Sequence, residues 1–376
     1  AARAGLPSPR AAGGAPPSFE WPLRARASAT RPGHHATSNF VDHDPASPGA
    51  LLDWNCGTRT YDLADGYDHA GTDFVLWPFP WATMFEESVA VVAAAPGTIL
   101  EKDDGHDDRS CELGAAPWNA VYVLHDDGGV AWYGHLKKGS ATPLAPGERV
   151  EAGEFLGLVG SSGSSTAPHL HFEVHDAEGA IVDPFEGPCN AVASRWLRQP
   201  PYFDSALNRL ATHAAPPEFE ACGEPEAVHA RDRFRPGEVA VFAVYLRDEL
   251  AGQTLEVAVR RPDGELLGDG RHVASAAHYA WSYWYWSFEL PADAPPGEWS
   301  FEARFGEQIE RVAFTVPEPD AGAAAAASLL ALAAAAQAGS KKGFHGRARA
   351  ASTSSSDGVR SRPAASAARV AARLLR

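Results

Sequence analysis

The run APHLHFEVH ends on a strand-like alternation. In an extended strand, residues i and i+2 share a face, so His169, His171, Glu173 and His175 project to one side while Leu170, Phe172 and Val174 project into a core. Two imidazoles about 7 Å apart on one face suit one metal ligand and one neighbouring acid/base group. A second candidate is DHAGTDF, where His69 and Asp73 stand four apart around Gly71. If the backbone turns at the glycine, an imidazole and a carboxylate converge on one ion, a combination that suits zinc. The third is WYGHL, with His135 at the end of an alternating strand beside Gly134, where backbone can approach a ligand closely. Taken singly, each has a plainer reading as an exposed or turn-proximal histidine.

The elements that must position these side chains read as strands. SVAVVAAA (88–95), GTILEK (97–102), NAVYVLH (119–125), VAWYGHL (130–136), EFLGLVG (154–160) and HLHFEVH (169–175) are short, apolar or alternating, and bounded by DG, GG, PG or GSSGSS. No helical repeat separates them, so the spacing predicts an antiparallel β domain over 38–190. A linker over 191–222 is expected to hold one short helix near 204–212. Over 223–316 a second β run with PDG, PPG and PG turns argues for an immunoglobulin-like sandwich. The fold class is therefore mainly β: an antiparallel catalytic sheet domain followed by a C-terminal immunoglobulin-like β-sandwich. Residues 1–37, rich in Ala, Pro, Arg and Gly, read as a disordered leader.

Together, His69-x-x-x-Asp73, Tyr133-Gly134-His135-Leu136, the glycine turn at 160–163 and His169-Leu170-His171-Phe172-Glu173 resemble the lysostaphin-type zinc endopeptidases, whose superfamily includes the beta-lytic endopeptidases. The match in order, spacing and glycine turns runs over roughly residues 39–190. The resemblance implies a duplicated hybrid motif fold, His69, Asp73 and His171 as ligands of Zn²⁺, and His135 and His169 as unligated catalytic histidines. It also implies the substrate class, the peptide cross-links of bacterial peptidoglycan. Two neutral imidazoles and one carboxylate leave zinc with net charge about +1 and one open tetrahedral position for water. No H-E-x-x-H motif supplies a glutamate base, so acid/base and oxyanion work falls to the two histidines. The competing reading is a non-catalytic wall-binding or hydrolase-activating protein of the same fold. Degenerate relatives of that kind lose ligands, and here all five positions are intact.

Other features carry weaker expectations. KDDGHDDRS (102–110) lacks a spaced calcium-loop pattern and reads as a solvated loop. GSSGSST (160–166) has no G-x-S-x-G and reads as a flexible loop bordering the cleft. His43, His106 and His125 have no placed partner and are read as structural or exposed, and His175 is placed at the rim. WPFPWATM (77–84) either walls the substrate groove or caps the core. In AWSYWYWSFEL, Trp284, Trp286, Phe288 and Leu290 share one face and Trp281, Tyr283 and Tyr285 the other; one face is core, and the other stacks on sugar or packs on the catalytic domain.

Composition bounds the partners. The chain has 376 residues, 32 Lys+Arg against 48 Asp+Glu and a net charge of −16, which excludes a phosphate-covering nucleic-acid binder. Hydrophobic content of 45% is enough to bury a core. Residues 339–376 are basic, so the chain before them is more acidic still, and attraction to acidic wall polymers is expected to be weak. Cys56, Cys111, Cys189 and Cys222 form no C-x-x-C pair; they fit two disulfides of an exported protein or four buried thiols, with Cys56–Cys111 and Cys189–Cys222 favoured by sequence order alone. The Ala/Pro-rich opening lacks the apolar run of a signal peptide. Over 317–376, PEP followed by an Ala-rich apolar stretch and Lys341-Lys342 resembles bacterial C-terminal sorting tails; an Ala-rich linker is the other reading, and membrane contact is expected only if this tail anchors. A secreted, periplasmic or cell-surface monomer is expected.

Overall fold

Short apolar runs punctuated by glycine turns fold as strands throughout, and the computed structural model describes residues 14–26, 33–46, 49–114, 116–219 and 222–318. In chain order the first unit contains β1 (Leu23–Ala25), β2 (His35–Asn39), β3 (Gly71–Leu76), the short helix α1 (Pro80–Phe85), β4 (Val89–Val92), β5 (Gly97–Asp103), β6 (Ala120–Leu124), β7 (Val130–Gly134), β8 (Arg149–Val150), β9 (Phe155–Leu158) and β10 (His169–His175). The second contains β11 (Ala206–His213), β12 (Val239–Leu250), β13 (Thr254–Arg260), β14 (Leu266–Val273), β15 (His278–Glu289), β16 (Gly297–Phe305) and β17 (Gln308–Val316).

A seven-stranded antiparallel sheet, order β2-β3-β10-β7-β6-β5-β8, is covered on one face by a three-stranded sheet, β1-β4-β9. Leu170, Phe172 and Val174 of β10 sit in the core between the layers with Phe74, Val121, Tyr133, Val91 and Leu156. The alternate residues of β10, His169, His171, Glu173 and His175, are thereby turned to the opposite face. The second unit has two antiparallel sheets, β11-β12-β15 and β14-β13-β16-β17, closed around Phe242, Trp286, Trp299, Phe301 and Phe314. Among the described residues no helix is long and apolar enough to cross a membrane. The sorting or anchor reading of the tail falls on 319–376, outside the described residues.

Four expectations are corrected. The leader is not wholly unstructured: Phe19, Trp21 and Leu23 alternate, β1 pairs with β4, and Phe19 is buried edge-on against Phe172 with ring centroids 5.5 Å apart. Its sparse apolar residues hid a period-two pattern. The helix expected over 204–212 is strand β11; Leu207, Leu210 and Ala211 imitate helical spacing because a bulge between Leu207 and Arg209 shifts the alternation and both faces are covered. The disulfides are Cys56–Cys189 and Cys111–Cys222, not the sequence-order pairs. Trp54 stacks on Phe185 at 5.3 Å and its carbonyl accepts from the Cys189 amide, which brings the first pair together. The serine loop at 160–166 is packed, with Ser161, Ser162 and Ser165 buried.

The two units share a third apolar cluster. Trp77, Phe79 and Ala82 of the first pack against Ala211, Ala243, Tyr245, Trp281 and Tyr283 of the second. WPFPWATM is therefore a joint: Trp77 Nε1 donates to the Leu246 carbonyl at 2.9 Å, and the Glu226 carboxylate accepts from the Trp81 and Ala82 amides at 3.0 and 2.7 Å. The Trp281/Tyr283 face of β15 packs on the first unit, while Trp286 fills the core of its own.

Candidate metal centre and groove

Strand register lays the site out in a row. His171 of β10 stands directly opposite Asp73 of β3 on one side and Gly134 of β7 on the other. Cross-strand partners on one face bring side chains within contact, so His171 and Asp73 meet through sheet geometry alone. His69 precedes β3 and is held by an irregular segment: its Nδ1 donates to the Phe40 carbonyl at 2.7 Å and its ring lies under Tyr61, centroids 4.5 Å apart. Gly71 serves a different purpose from the turn expected of it. It begins β3, and a Cβ there would stand 2.8 Å from the His171 ring and 2.7 Å from the Phe172 carbonyl.

One potential ligand atom from each of His69, Asp73 and His171 lies within 4.8 Å of the others, and all three residues are buried. His69 Nε2 is 3.1 Å from an Asp73 carboxylate oxygen and 3.2 Å from His171 Nδ1, which is 2.9 Å from the other Asp73 oxygen. Because His69 donates from Nδ1, its Nε2 carries the lone pair. His171 is held the opposite way, Nε2 against Glu173 Oε2 at 2.9 Å, so its Nδ1 is the nitrogen that faces His69 and Asp73. Two imidazoles, each oriented by a bond from the far nitrogen, thus aim one ring nitrogen each at one point beside a carboxylate, a donor set that suits tetrahedral zinc. The electrostatics agree. Burial opposes charge on Asp73, yet His69, His169 and the bond from His171 hold its carboxyl well below the usual range. Burial likewise opposes charge on His171, but its bonds to Asp73 and Glu173 push it up to about 10, so without an ion Nδ1 holds a proton toward Asp73, and a bound cation would take that proton's place.

His135 and His169 flank that point without joining the cluster. Their rings are 4.4 Å apart. His135 sits in the left-handed region with φ 60° just after β7, and its Nδ1 donates to the Ser162 carbonyl at 2.6 Å. His169 Nδ1 donates to the Ala167 carbonyl at 2.8 Å, and its Nε2 lies 3.6 Å from Asp73. Each therefore presents an unprotonated Nε2 to the site. Burial is the main cause holding both below the ordinary histidine range, which keeps them neutral and able to accept a proton at pH 7.

Several participants escaped the sequence. Asn39 Nδ2 donates to Asp73 at 3.1 Å. Trp118 stands edge-on to His135, centroids 5.0 Å apart, and fills the space that a side chain at Gly134 would occupy, a Cβ there falling 2.1 Å from its ring. His175, placed at the rim, is half-buried, stacks on Trp132 at 4.6 Å and bonds Glu173 Oε1 at 2.5 Å. A lone Asn or Trp has no spacing signal, so Asn39 and Trp118 were not legible, whereas the i, i+2 alternation had placed His175 on this face. Three other histidines singled out in the sequence have partners away from the site: His43 bonds Asp183 at 2.8 Å, His125 donates to the Pro96 carbonyl, and His106 lies 3.8 Å from Asp103. The acidic run at 102–110 is pinned rather than free; Asp108 is buried and accepts from the Lys138 amide at 2.7 Å.

A cavity of about 220 Å³ opens from Asp73 and His169, with Ser38, Leu113, Thr166 and Trp281 among its walls.

Residues 81–184 match peptidase family M23, a range that includes His135, His169 and His171 and begins after His69 and Asp73. The glycyl-glycine endopeptidase ALE-1 of Staphylococcus capitis is 32% identical over 118 residues, 31% of this chain and 27% of that protein. The DD-carboxypeptidase/endopeptidase Mpg of Neisseria meningitidis serogroup B is 46% identical over 66 residues, 18% of this chain and 14% of that protein. The chain thus spans about a quarter or less of the length of these two relatives. Among solved structures, the catalytic domain of lysostaphin from Staphylococcus simulans aligns at 27% identity and a TM-score of 0.24, covering 33% of this chain and 83% of that one.

Proposed function

Because the chain carries a domain of peptidase family M23, we propose that it is an exported zinc-dependent endopeptidase that hydrolyses peptide cross-links of bacterial peptidoglycan. The observation that carries the reading is the convergence of His69 Nε2, Asp73 and His171 Nδ1 beside two unligated, neutral histidines. His69 and Asp73 lie outside the matched range, so their place in the ligand set rests on this geometry. The cell-wall substrate is supported by the named activities of the two relatives, one a glycyl-glycine endopeptidase and the other a DD-carboxypeptidase/endopeptidase. Export is supported by the two disulfides. In the second unit the strand order, first-second-fifth in one sheet and fourth-third-sixth-seventh in the other, supports the immunoglobulin-like reading.

Zinc held by His69, Asp73 and His171 would supply Lewis acidity, making water acidic at neutral pH and polarising the scissile carbonyl. The chain's own groups do the rest. Neutral Nε2 atoms of His135 and His169 stand ready to take the proton of an attacking water and deliver it to the leaving amine. Their Nδ1 bonds to the Ser162 and Ala167 carbonyls keep both rings from rotating and stabilise each imidazolium while it carries the proton. Trp118 shields His135 and His171 from bulk water on one side. The test is release of new amino termini from purified peptidoglycan by the full chain, with and without a zinc chelator. Release that stops with the chelator and returns with zinc is expected; a zinc-replete chain that binds several wall types and releases nothing would favour a wall-binding or activating role.

A further inference from the structure

The catalytic histidines belong to the first unit, but the groove leading from them does not. Trp281, on β15 of the second unit, lines the same cavity as Asp73, Val75 and His169. Its position is fixed: it is buried in the cluster that joins the units, 6.3 Å from Trp77 by ring centroids, and its backbone pairs with Arg247 of β12. The wall formed by Leu113 is also tied to the second unit. Leu113 is exposed to the groove two residues after Cys111, which is bonded to Cys222, and Arg109 in the same loop pairs with Glu224 at 3.0 Å. Two groove residues, one from β15 and one from a loop anchored to the segment between β11 and β12, are therefore set by the second unit.

We propose that the second unit completes the substrate groove, and that Trp281 is a specificity-determining residue which selects peptide segments with small side chains, Gly or D-Ala, beside the scissile bond. The inference rests on the hydrolase reading for the identity of the peptide. An indole buried in the joint beside Trp77 on a paired strand has little room to retreat, so a small residue fits against the ring while a bulky one collides with it. The remaining lining agrees: Leu63, Val75 and Leu113 offer apolar contact, and Ser38, Ser164 and Thr166 offer hydroxyls to a peptide backbone.

The experiment compares full-length wild type with Trp281→Phe and Trp77→Phe. Trp77 shares the joint and is absent from the groove lining, so it reports what loosening the joint alone does. Binding of pentaglycine and of a D-alanyl-linked muropeptide dimer is measured calorimetrically in a zinc-loaded His169→Ala background, and KM and kcat are measured with His169 intact. Trp281→Phe is expected to weaken binding of the better-bound probe about tenfold and to raise KM in parallel with kcat within about twofold, while Trp77→Phe changes binding by less than about twofold. Equal effects of the two substitutions, unchanged binding in Trp281→Phe, or no binding of either probe would overturn the inference. Probe binding that responds to Trp281→Phe in a chain that never cleaves would sink the hydrolase reading and leave the groove assignment standing; cleavage with KM unchanged in Trp281→Phe does the reverse.

Discussion

At His171 the two ring nitrogens have separate tasks. Nδ1 faces His69 and Asp73, and Nε2 bonds Glu173, which is itself bonded by His175. Glu173 therefore sets both the tautomer and the rotation of a proposed zinc ligand without touching the ion. Glu173→Gln keeps an acceptor oxygen and removes the charge, and zinc affinity is expected to fall about 10- to 100-fold. Competition with a chromophoric chelator measures it, and an unchanged affinity would mean that His171 is held by its neighbours in the sheet alone. His69, Asp73, His135, His169 and His171 were singled out together only through the family resemblance, each having a plainer reading alone, whereas Asn39 and Trp118 could be found only once the fold had brought them beside those residues.

Across elements, what matters is that β10 lies between β3 and β7 in a register that sets His171 against Asp73 and Gly134. Two glycines, Gly134 in that row and Gly71 opposite Glu173, leave room for a ring: His171 fills the space at Gly71 and Trp118 the space at Gly134. Gly71→Ala forces a Cβ against the imidazole, so the substitution is expected to lower zinc occupancy and to cut kcat/KM at least about 100-fold, the cost of displacing a reacting group by about 1 Å. Metal analysis of the purified variant, alongside its activity, checks this; full zinc and full activity would show that β3 yields without moving His171. The strands of the first unit from β4 onward were readable as short apolar or alternating runs bounded by turns, although most are covered on both faces. Strand β11 was not, because a bulge between Leu207 and Arg209 breaks its period and leaves its apolar residues at helix-like spacing. Disulfide pairing was not either, because proximity of Cys56 to Cys189 follows from the packing of Trp54 on Phe185, which sequence order does not encode.

For the whole molecule, the joint between the units holds buried, neutral histidines. Burial lowers His213 to about 4, and its Nε2 accepts from the Tyr245 hydroxyl at 2.9 Å; burial, with Arg247 second, lowers His34 to about 4. An unfolded histidine titrates near 6.5, so between pH 6.5 and 4 the unfolded chain binds protons that the folded chain refuses, and stability falls as pH is lowered through that window. Each of the two accounts for on the order of 3 kcal/mol at the acid end. Urea midpoints of the zinc-free chain are expected to drop from pH 7.5 to 4.5, and to drop less in His213→Gln. An equal drop in the variant would place the acid sensitivity elsewhere. The joint also explains why the aromatic face of β15 could not be assigned from sequence: packing and sugar stacking ask for the same side chains.

The most direct test of the proposed chemistry separates ligand from acid/base histidine. Zinc content and release of new amino termini from peptidoglycan are measured for the full chain, His171→Ala and His169→Ala. The expected result is activity lost in both variants and zinc lost only in His171→Ala. Zinc retained at full stoichiometry in His171→Ala, or activity retained in His169→Ala, would contradict the assignment.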